Sequence, residues 1–426
     1  MKTTQLLSFI ENKGTDKELI RIYGEENLEV QRKRYIGAVK EFYENYGECE
    51  VSVFSVPGRS ELSGNHTDHN HGKVMAGSID LDIIAIASQT DDGVIKIKSQ
   101  GFPMDVVDTK TYKTPNEMDF FKSNALIAGM SRAFENYGAK SGGYVAYTTS
   151  NVFKGSGLSS SAAFEVMVGN ILNYFYNDGE VDNVEIAKMA QYSENVFFGK
   201  PCGLMDQMAC AVGGFVYIDF EDTKNPIIEK IPFDLSGAGY ALCIVNTGGN
   251  HADLNDDYAS VPYEMKSVAK YFGKEYLRQL DKATVLANVE KLRAEVGDRA
   301  ILRAIHFFNE NERVTTQANA LRSGNVEKFL DYVIKSGNSS FMYLQNVFTT
   351  KNVSEQGLSL ALAITDSTLN GKGCAYRVHG GGFAGTIQAF VKTEYVEEYR
   401  KAIDSAFGEG ACHVLRIRPD GAIKVL

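Results

Sequence analysis

Residues 155–163 read GSGLSSSAA and stand between an alternating run, GYVAYTT at 143–149, and an apolar-periodic stretch, AAFEVMVGNILNYFY at 162–176. A strand pattern therefore feeds a helix pattern through a turn of glycines and serines. Glycine lets backbone N–H groups approach an anion closely, and the N-terminus of the following helix adds its dipole. The junction thus reads as a phosphate cradle, although it is spelled differently from GxxxxGK[ST], which does not occur in the chain. The plainer reading, a loop whose serines cap a helix, stays open on these residues alone.

Around this junction strands and helices mix without regular βα alternation, which argues for α+β rather than a doubly wound sheet. Residues 3–47 predict one amphipathic helical stretch, and VSVFSV at 51–56 predicts a strand stopped by Pro57–Gly58. Further strands are expected at 79–88, 94–98, 212–219, 240–246, 387–391 and 413–418. Helices are expected at 119–136, 184–198 and 394–407, and across much of 256–330. The turn-rich segment 221–237 is the best boundary, so two units are expected, 1–225 and 226–426.

Composition excludes more than it selects. The net charge of −10 is spread along the chain with no lysine- or arginine-rich run, so nucleic acid is not an expected partner. The N-terminal residues lack a continuous apolar core, and runs such as IIAIA at 83–87 are strand-length. A cytoplasmic protein with no membrane partner is expected. The six cysteines form no CxxC and read as small buried hydrophobes rather than as a disulfide framework.

Three other segments carry chemistry. In PGRSELSGNHTDHNHG at 57–72, three of the seven histidines (His66, His69, His71) fall beside Arg59, Glu61 and Asp68. Imidazole with carboxylate suits a metal; Asp, His and Arg together also suit a polyol; a polar loop is the plain alternative. In GKPCGLMDQMACAVGG at 199–214, Asp206 stands among glycine, proline and apolar residues. A partly buried carboxylate there is either a structural cap or a catalytic group. Glu194, twelve residues upstream, could present a second carboxylate to a cation. RVHGGGFAGTIQAF at 377–390 contains GxGxxG, but it leads into a strand near the C-terminus, so a glycine turn lining a pocket fits better than a dinucleotide fingerprint.

Taken together, these segments resemble the GHMP kinases and, within them, the galactokinase family. GSGLSSSA is similar to the GLSSSA phosphate loop, and residues 57–72 to the signature GRxNLxGEHTDYN. Residues 199–207 are similar to GxPCGxMDQ and residues 379–385 to the GGGFGG loop. VNTGGNHADLNDDYASVPYEM at 245–265 is like a stretch holding a histidine and a sugar-contacting tyrosine. The matches run in the family's order across residues 51–391.

The resemblance implies two α+β domains with the site between them, and an ATP-dependent sugar 1-kinase acting on galactose. It implies that Asp206 is the base for the anomeric hydroxyl and that Arg59 steadies it and the phosphoryl group. Gly155, Ser156, Gly157, Leu158, Ser159, Ser160 and Ser161 would cradle ATP, with Ser161 and Glu194 holding Mg²⁺. Asn65, His66, Asp68, Gly203 and Tyr258 would contact the sugar. Asn65 stands where the family has a glutamate, His69 where it has a tyrosine, and Glu61 where it has an asparagine. These departures keep galacturonate, or another galacto-configured sugar, open as substrate. A non-catalytic sugar and ATP sensor is the alternative of another class. A monomer or weak homodimer is expected.

Overall fold

The computed structural model describes residues 1–152, 157–249 and 254–426. Three helices open the chain, α1 (Thr3–Glu11), α2 (Asp16–Tyr23) and α3 (Leu28–Tyr46), where the periodicity predicts one. The stretch is cut at Gly24, whose φ of +84° ends α2 in a conformation that side-chain-bearing residues rarely adopt.

The first sheet is built from β1 (Ser52–Ser63), β2 (Lys73–Thr90), β3 (Val94–Ser99), β4 (Met104–Asp108), β5 (Gly143–Ser150), β6 (Phe215–Asp219) and β7 (Ile227–Ile231). Its helices are α4 (Ser123–Tyr137), α5 (Ser160–Tyr176), α6 (Asn183–Tyr192) and α7 (Met205–Val212). The second sheet contains β8 (Tyr240–Asn246), β9 (Ala375–Val378), β10 (Thr386–Lys392) and β11 (Cys412–Leu415). With it go α8 (Asn255–Tyr271), α9 (Lys282–Ala287), α10 (Val289–Glu295), α11 (Asp298–Arg322), α12 (Val326–Ser339), α13 (Gly357–Leu369) and α14 (Val396–Phe407). The last strand, β12 (Ile423–Lys424), returns to the first sheet.

The first sheet runs β12-β1-β2-β5-β3-β4, with β6 on β2 and β7 on β6; the second runs β11-β8-β10-β9. Two strands from after residue 225, β7 and β12, therefore belong to the first sheet.

Strand alternation places the cores. On β2, Ile84 and Ile86 face α1–α3, while Ile83, Ala85 and Ala87 face α4–α7. Both faces are covered, which is why this strand reads as a nearly continuous apolar run. The same logic puts Leu242 and Ile244 of β8 against α11 and α12, and Cys243 and Val245 against α13 and α14. The N-terminal helices are tied down by buried Asp82, which takes Arg34 at 2.6 Å, Tyr23 at 2.6 Å and Arg418 at 3.2 Å. Burial opposes ionisation of Asp82, yet Arg34 and Arg418 hold its carboxyl below the usual range.

The strand expected to stop at Pro57–Gly58 continues to Ser63. Its pairing with β2 shifts register between Pro57 and Arg59 and again between Glu61 and Ser63. Proline and glycine are accommodated at the first irregularity instead of ending the strand, and such bulges re-aim side chains.

Candidate active site

Arg59 leaves β1 directly after that first irregularity. Its Nε donates to Asp206 Oδ1 at 2.7 Å, and its Nη2 pairs with Oδ2 at 2.6 Å. This is a two-point, charge-assisted grip. Arg59 Nη1 donates to the Gly157 carbonyl, and Ser159 Oγ donates to Asp206 Oδ2. Burial opposes the charge on Arg59, but Asp206 outweighs it and leaves the guanidinium above its ordinary value. Gly58 permits this closeness: a Cβ there would stand 2.8 Å from the Leu158 carbonyl, which already accepts the Arg59 N–H at 3.1 Å. Asp206 lies in the first turn of α7, where a carboxylate complements the helix dipole.

The glycine–serine loop arrives from the other side. Gly155 and Ser156 lie outside the described residues. Gly157 and Ser159 adopt positive φ (+71° and +58°), Leu158 is buried, and Ser160 and Ser161 begin α5. Their first-turn N–H groups have no partners within the helix, which is the anion-binding arrangement of a helix N-terminus. A cavity of about 650 Å³ opens beside them, lined by Ser160, Ser161, Gln100, Phe121, Asn124 and Phe198 among others.

Glu194 occupies a π-helical turn, Ser193–Phe197, that continues α6, where 184–198 predicts regular helix. Such turns concentrate at functional positions. Its carboxylate, 2% exposed, receives Gln207 Nε2 at 2.7 Å and Lys200 Nζ at 2.8 Å. Glu165 stands four residues after Ser161 on α5, fully buried, and accepts from the same Gln207 amide at 3.3 Å. Burial, and then the Glu194 charge, push its carboxyl well above the carboxylate range. Neither Glu165 nor Lys200 is expected at the site from the sequence, although the four-residue spacing from Ser161 puts Glu165 about one helical turn away.

The histidine-rich loop opens toward Gly203. A Cβ on Gly203 would stand 2.9 Å from Asp68 Oδ2, so the two segments touch. Burial raises the Asp68 carboxyl, and Asp206 adds to the shift. His66 donates from Nε2 to the Gly381 carbonyl at 2.8 Å, and burial lowers its pKa to about 4, so the ring is neutral. His69 Nδ1 accepts from Asn70 at 2.9 Å, and His71 stacks on Tyr276 with centroids 3.8 Å apart. Among the described residues no group of three or more His, Cys, Asp or Glu side chains is set to hold a metal. Tyr258 O–H donates to the Gly382 carbonyl at 2.9 Å. Residues 250–253, the part of 245–265 that contains His251, lie outside the described residues.

Asn65 is wholly buried. Its Nδ2 donates to Glu61 at 3.0 Å and the Gly380 carbonyl at 2.6 Å, and its Oδ1 accepts from Asn346 at 2.8 Å and Ser340 at 3.3 Å. All four hydrogen-bonding positions of the amide are engaged within the protein. His379, at the start of the glycine turn, bridges Ser60 at 3.1 Å and Thr386 at 2.8 Å, and a Cβ on Gly157 would stand 3.6 Å from its ring.

Hydrogen bonds and close approaches thus link an Arg–Asp pair, the N-terminus of α5, and a polar pocket closed by a glycine turn. Comparison with known proteins identifies the family. Residues 125–214 match the model of the GHMP kinases N terminal domain, and residues 40–89 match the galactokinase galactose-binding signature. The galactokinase of Streptomyces coelicolor is 31% identical over 377 residues, covering 88% of this chain and 94% of its own length. That of Lactobacillus helveticus is 30% identical, with 87% and 93% covered. The crystal structure of Lactococcus lactis galactokinase complexed with galactose superposes with a TM-score of 0.74 at 24% identity, covering 90% of this chain and 98% of that one. A mevalonate kinase shares the fold at 17% identity and a TM-score of 0.60, with 86% and 98% covered. The chain belongs to the galactokinase family of GHMP kinases.

Proposed function

We propose that the protein transfers the γ-phosphoryl group of ATP to the anomeric hydroxyl of galactose, giving galactose 1-phosphate and ADP. The observation that carries this reading is the two-point Arg59–Asp206 pair set against the phosphate loop through Gly157 and Ser159. Asp206 accepts the proton of the anomeric hydroxyl. The freed oxygen bonds to the γ-phosphorus as its bond to the bridging β–γ oxygen breaks, and ADP leaves. Arg59 orients Asp206 and offers positive charge to the transferring group, the positioning and neutralisation on which phosphoryl transfer depends. The described residues of the 155–161 loop and the start of α5 receive the phosphates, and the cavity beside Ser160 and Phe198 takes the base and ribose.

The donor set fits Mg²⁺ by its chemistry: Ser161 offers a hydroxyl at the start of α5, and the buried Glu194 carboxylate already attracts one cation, Lys200. Bound there, Mg²⁺ supplies charge neutralisation to the phosphates. Asp68, His66, Gly203 and Tyr258 form the sugar side. Asn65 supports that side from beneath instead of touching the sugar, because its amide has no free donor or acceptor. The case for a C6 carboxylate, which rested on Asn65 facing the sugar, weakens accordingly. The same reading takes 1–225 and 226–426 as the two units, with β7 and β12 crossing back to complete the first sheet, and the protein as a cytoplasmic monomer or weak homodimer.

The test is ADP release with Mg-ATP against galactose, galacturonate, glucose and arabinose, with Asp206→Asn as control. Galactose turnover, reduced about 10²–10⁴-fold in the control, is expected. Turnover confined to galacturonate would redirect the substrate, and tight sugar binding without turnover would favour a sensor.

A further inference from the structure

Three successive carbonyls of the glycine turn are held by side chains from three parts of the chain. Gly380 receives Asn65 at 2.6 Å; Gly381 receives His66 at 2.8 Å and Asn346 at 3.1 Å; Gly382 receives Tyr258 at 2.9 Å. The turn answers in kind, since the Phe383 N–H donates to the Asn346 carbonyl at 2.5 Å. Asn346 is the member of this set that no motif contains. It follows a π-helical turn, Ser340–Leu344, and Gln345, a non-glycine residue at φ +58°. Unusual backbone of this kind persists where the surroundings enforce it.

Asn346 is fully buried. Its Nδ2 lies between two acceptors, Asn65 Oδ1 at 2.8 Å and the Gly381 carbonyl at 3.1 Å. That fixes which way the amide points, because a flipped amide would set oxygen against both. The orientation is kept although Oδ1 is left buried without a donor. The turn also presses on Asn346: a Cβ on Gly382 would collide with the Asn346 carbonyl oxygen and stand 2.6 Å from its Nδ2, and Gly382 has a φ of +77°. From Asn346 the chain of bonds continues through Asn65 to Glu61, which pairs with Arg377 at 3.0 Å.

We propose that Asn346 is a positioning residue for the sugar site: one amide nitrogen fixes both the Asn65 side chain and the 380–383 turn, and so holds His66 and Tyr258 in one arrangement. The inference rests on the reading that His66 and Tyr258 contact the sugar. Without the Asn346 donor, Asn65 Oδ1 loses its shorter bond and Gly381 one of two. The loop and the turn then sample several arrangements, and sugar affinity falls with the fraction that is competent. None of Asn346's hydrogen bonds reaches Arg59, Asp206 or the phosphate loop, so the chemical step is spared.

The experiment compares the full-length protein with Asn346→Ala, Asn346→Ser and the isosteric Asn346→Asp. Galactose binding is measured by calorimetry, steady-state kinetics are taken against both substrates, and melting confirms that each variant is folded. Loss of the two bonds is expected to weaken galactose binding about tenfold in every folded variant. KM for ATP and kcat at saturating sugar should stay within about twofold. Unchanged galactose affinity in the variants, or an equal fall in kcat with no change in sugar KM, overturns the inference. A wild-type protein that binds none of the sugars overturns the functional reading as well, whereas wild-type binding with indifferent variants overturns this inference alone.

Discussion

On one wall of the candidate site Arg59 grips Asp206 with two charge-assisted bonds, while on the other Asn65, His66, Asn346 and Tyr258 hold three glycine carbonyls with neutral ones. Bonds to charged groups are worth roughly 1.5–3 kcal/mol each and neutral ones about 1 kcal/mol. On the proposed function, the first wall therefore concentrates its role in two side chains that would act on the reacting atoms. The second distributes its function over many small bonds that set a shape. Removing one member should abolish chemistry on the first wall and loosen binding on the second.

The sharpest way to break this comparison is Arg59→Lys. Lysine keeps the charge but cannot reproduce the planar two-point grip. We expect kcat to fall about 10²–10³-fold with galactose affinity nearly unchanged; a loss below about fivefold would put Arg59 with the shape-setting residues. Next in size is Tyr258→Phe, which removes the hydroxyl bond to Gly382. Sugar KM should rise about fivefold, in line with one neutral bond, and kcat should hold. A large fall in kcat instead would give the neutral wall a share in the chemistry.

The smallest effect concerns acid. His379 bridges the walls and is held neutral by burial and by the nearby Arg59 and Arg377 charges, with a pKa near 3. Its ordinary value is about 6.5, so between these limits the unfolded chain binds a proton that the folded one refuses. Stability due to this group is whole above about pH 6.5 and is lost as pH falls toward its folded value. His379→Gln keeps hydrogen-bonding capacity for Ser60 and Thr386 and removes the titration. The melting temperature of the variant should drop less steeply than that of wild type between pH 6.5 and 4. Parallel curves would mean that the ring is not held neutral.

Local chemistry was legible from the residues alone. The glycine–serine junction, the strand that leads into it and the helix that follows it are contiguous in sequence, so turn chemistry and periodicity reveal them. Asp206 stands out because a carboxylate among glycine, proline and apolar neighbours needs a reason to be there, Arg59 because it falls in a cluster of histidines and acids, and Glu194 because it lies on the helix twelve residues upstream of Asp206. Backbone irregularity escaped: Pro57 and Gly58 look like a stop but lie where a long strand shifts register, and the π turn around Glu194 looks like plain helix. Both depend on what packs against them rather than on local propensity.

What the sequence by itself determined is the set of groups available for phosphoryl transfer and their order along the chain, since motif spacing and periodicity are local properties. Only the tertiary structure decided which groups meet. It set Asn346 against Asn65, 281 residues away, and His66 against Gly381, 315 residues away. It turned Asn65 inward, where its amide bonds to Glu61, Gly380, Asn346 and Ser340. The physical reason is that an amide's role depends on which donors and acceptors surround it, and those come from separate elements that only folding brings together.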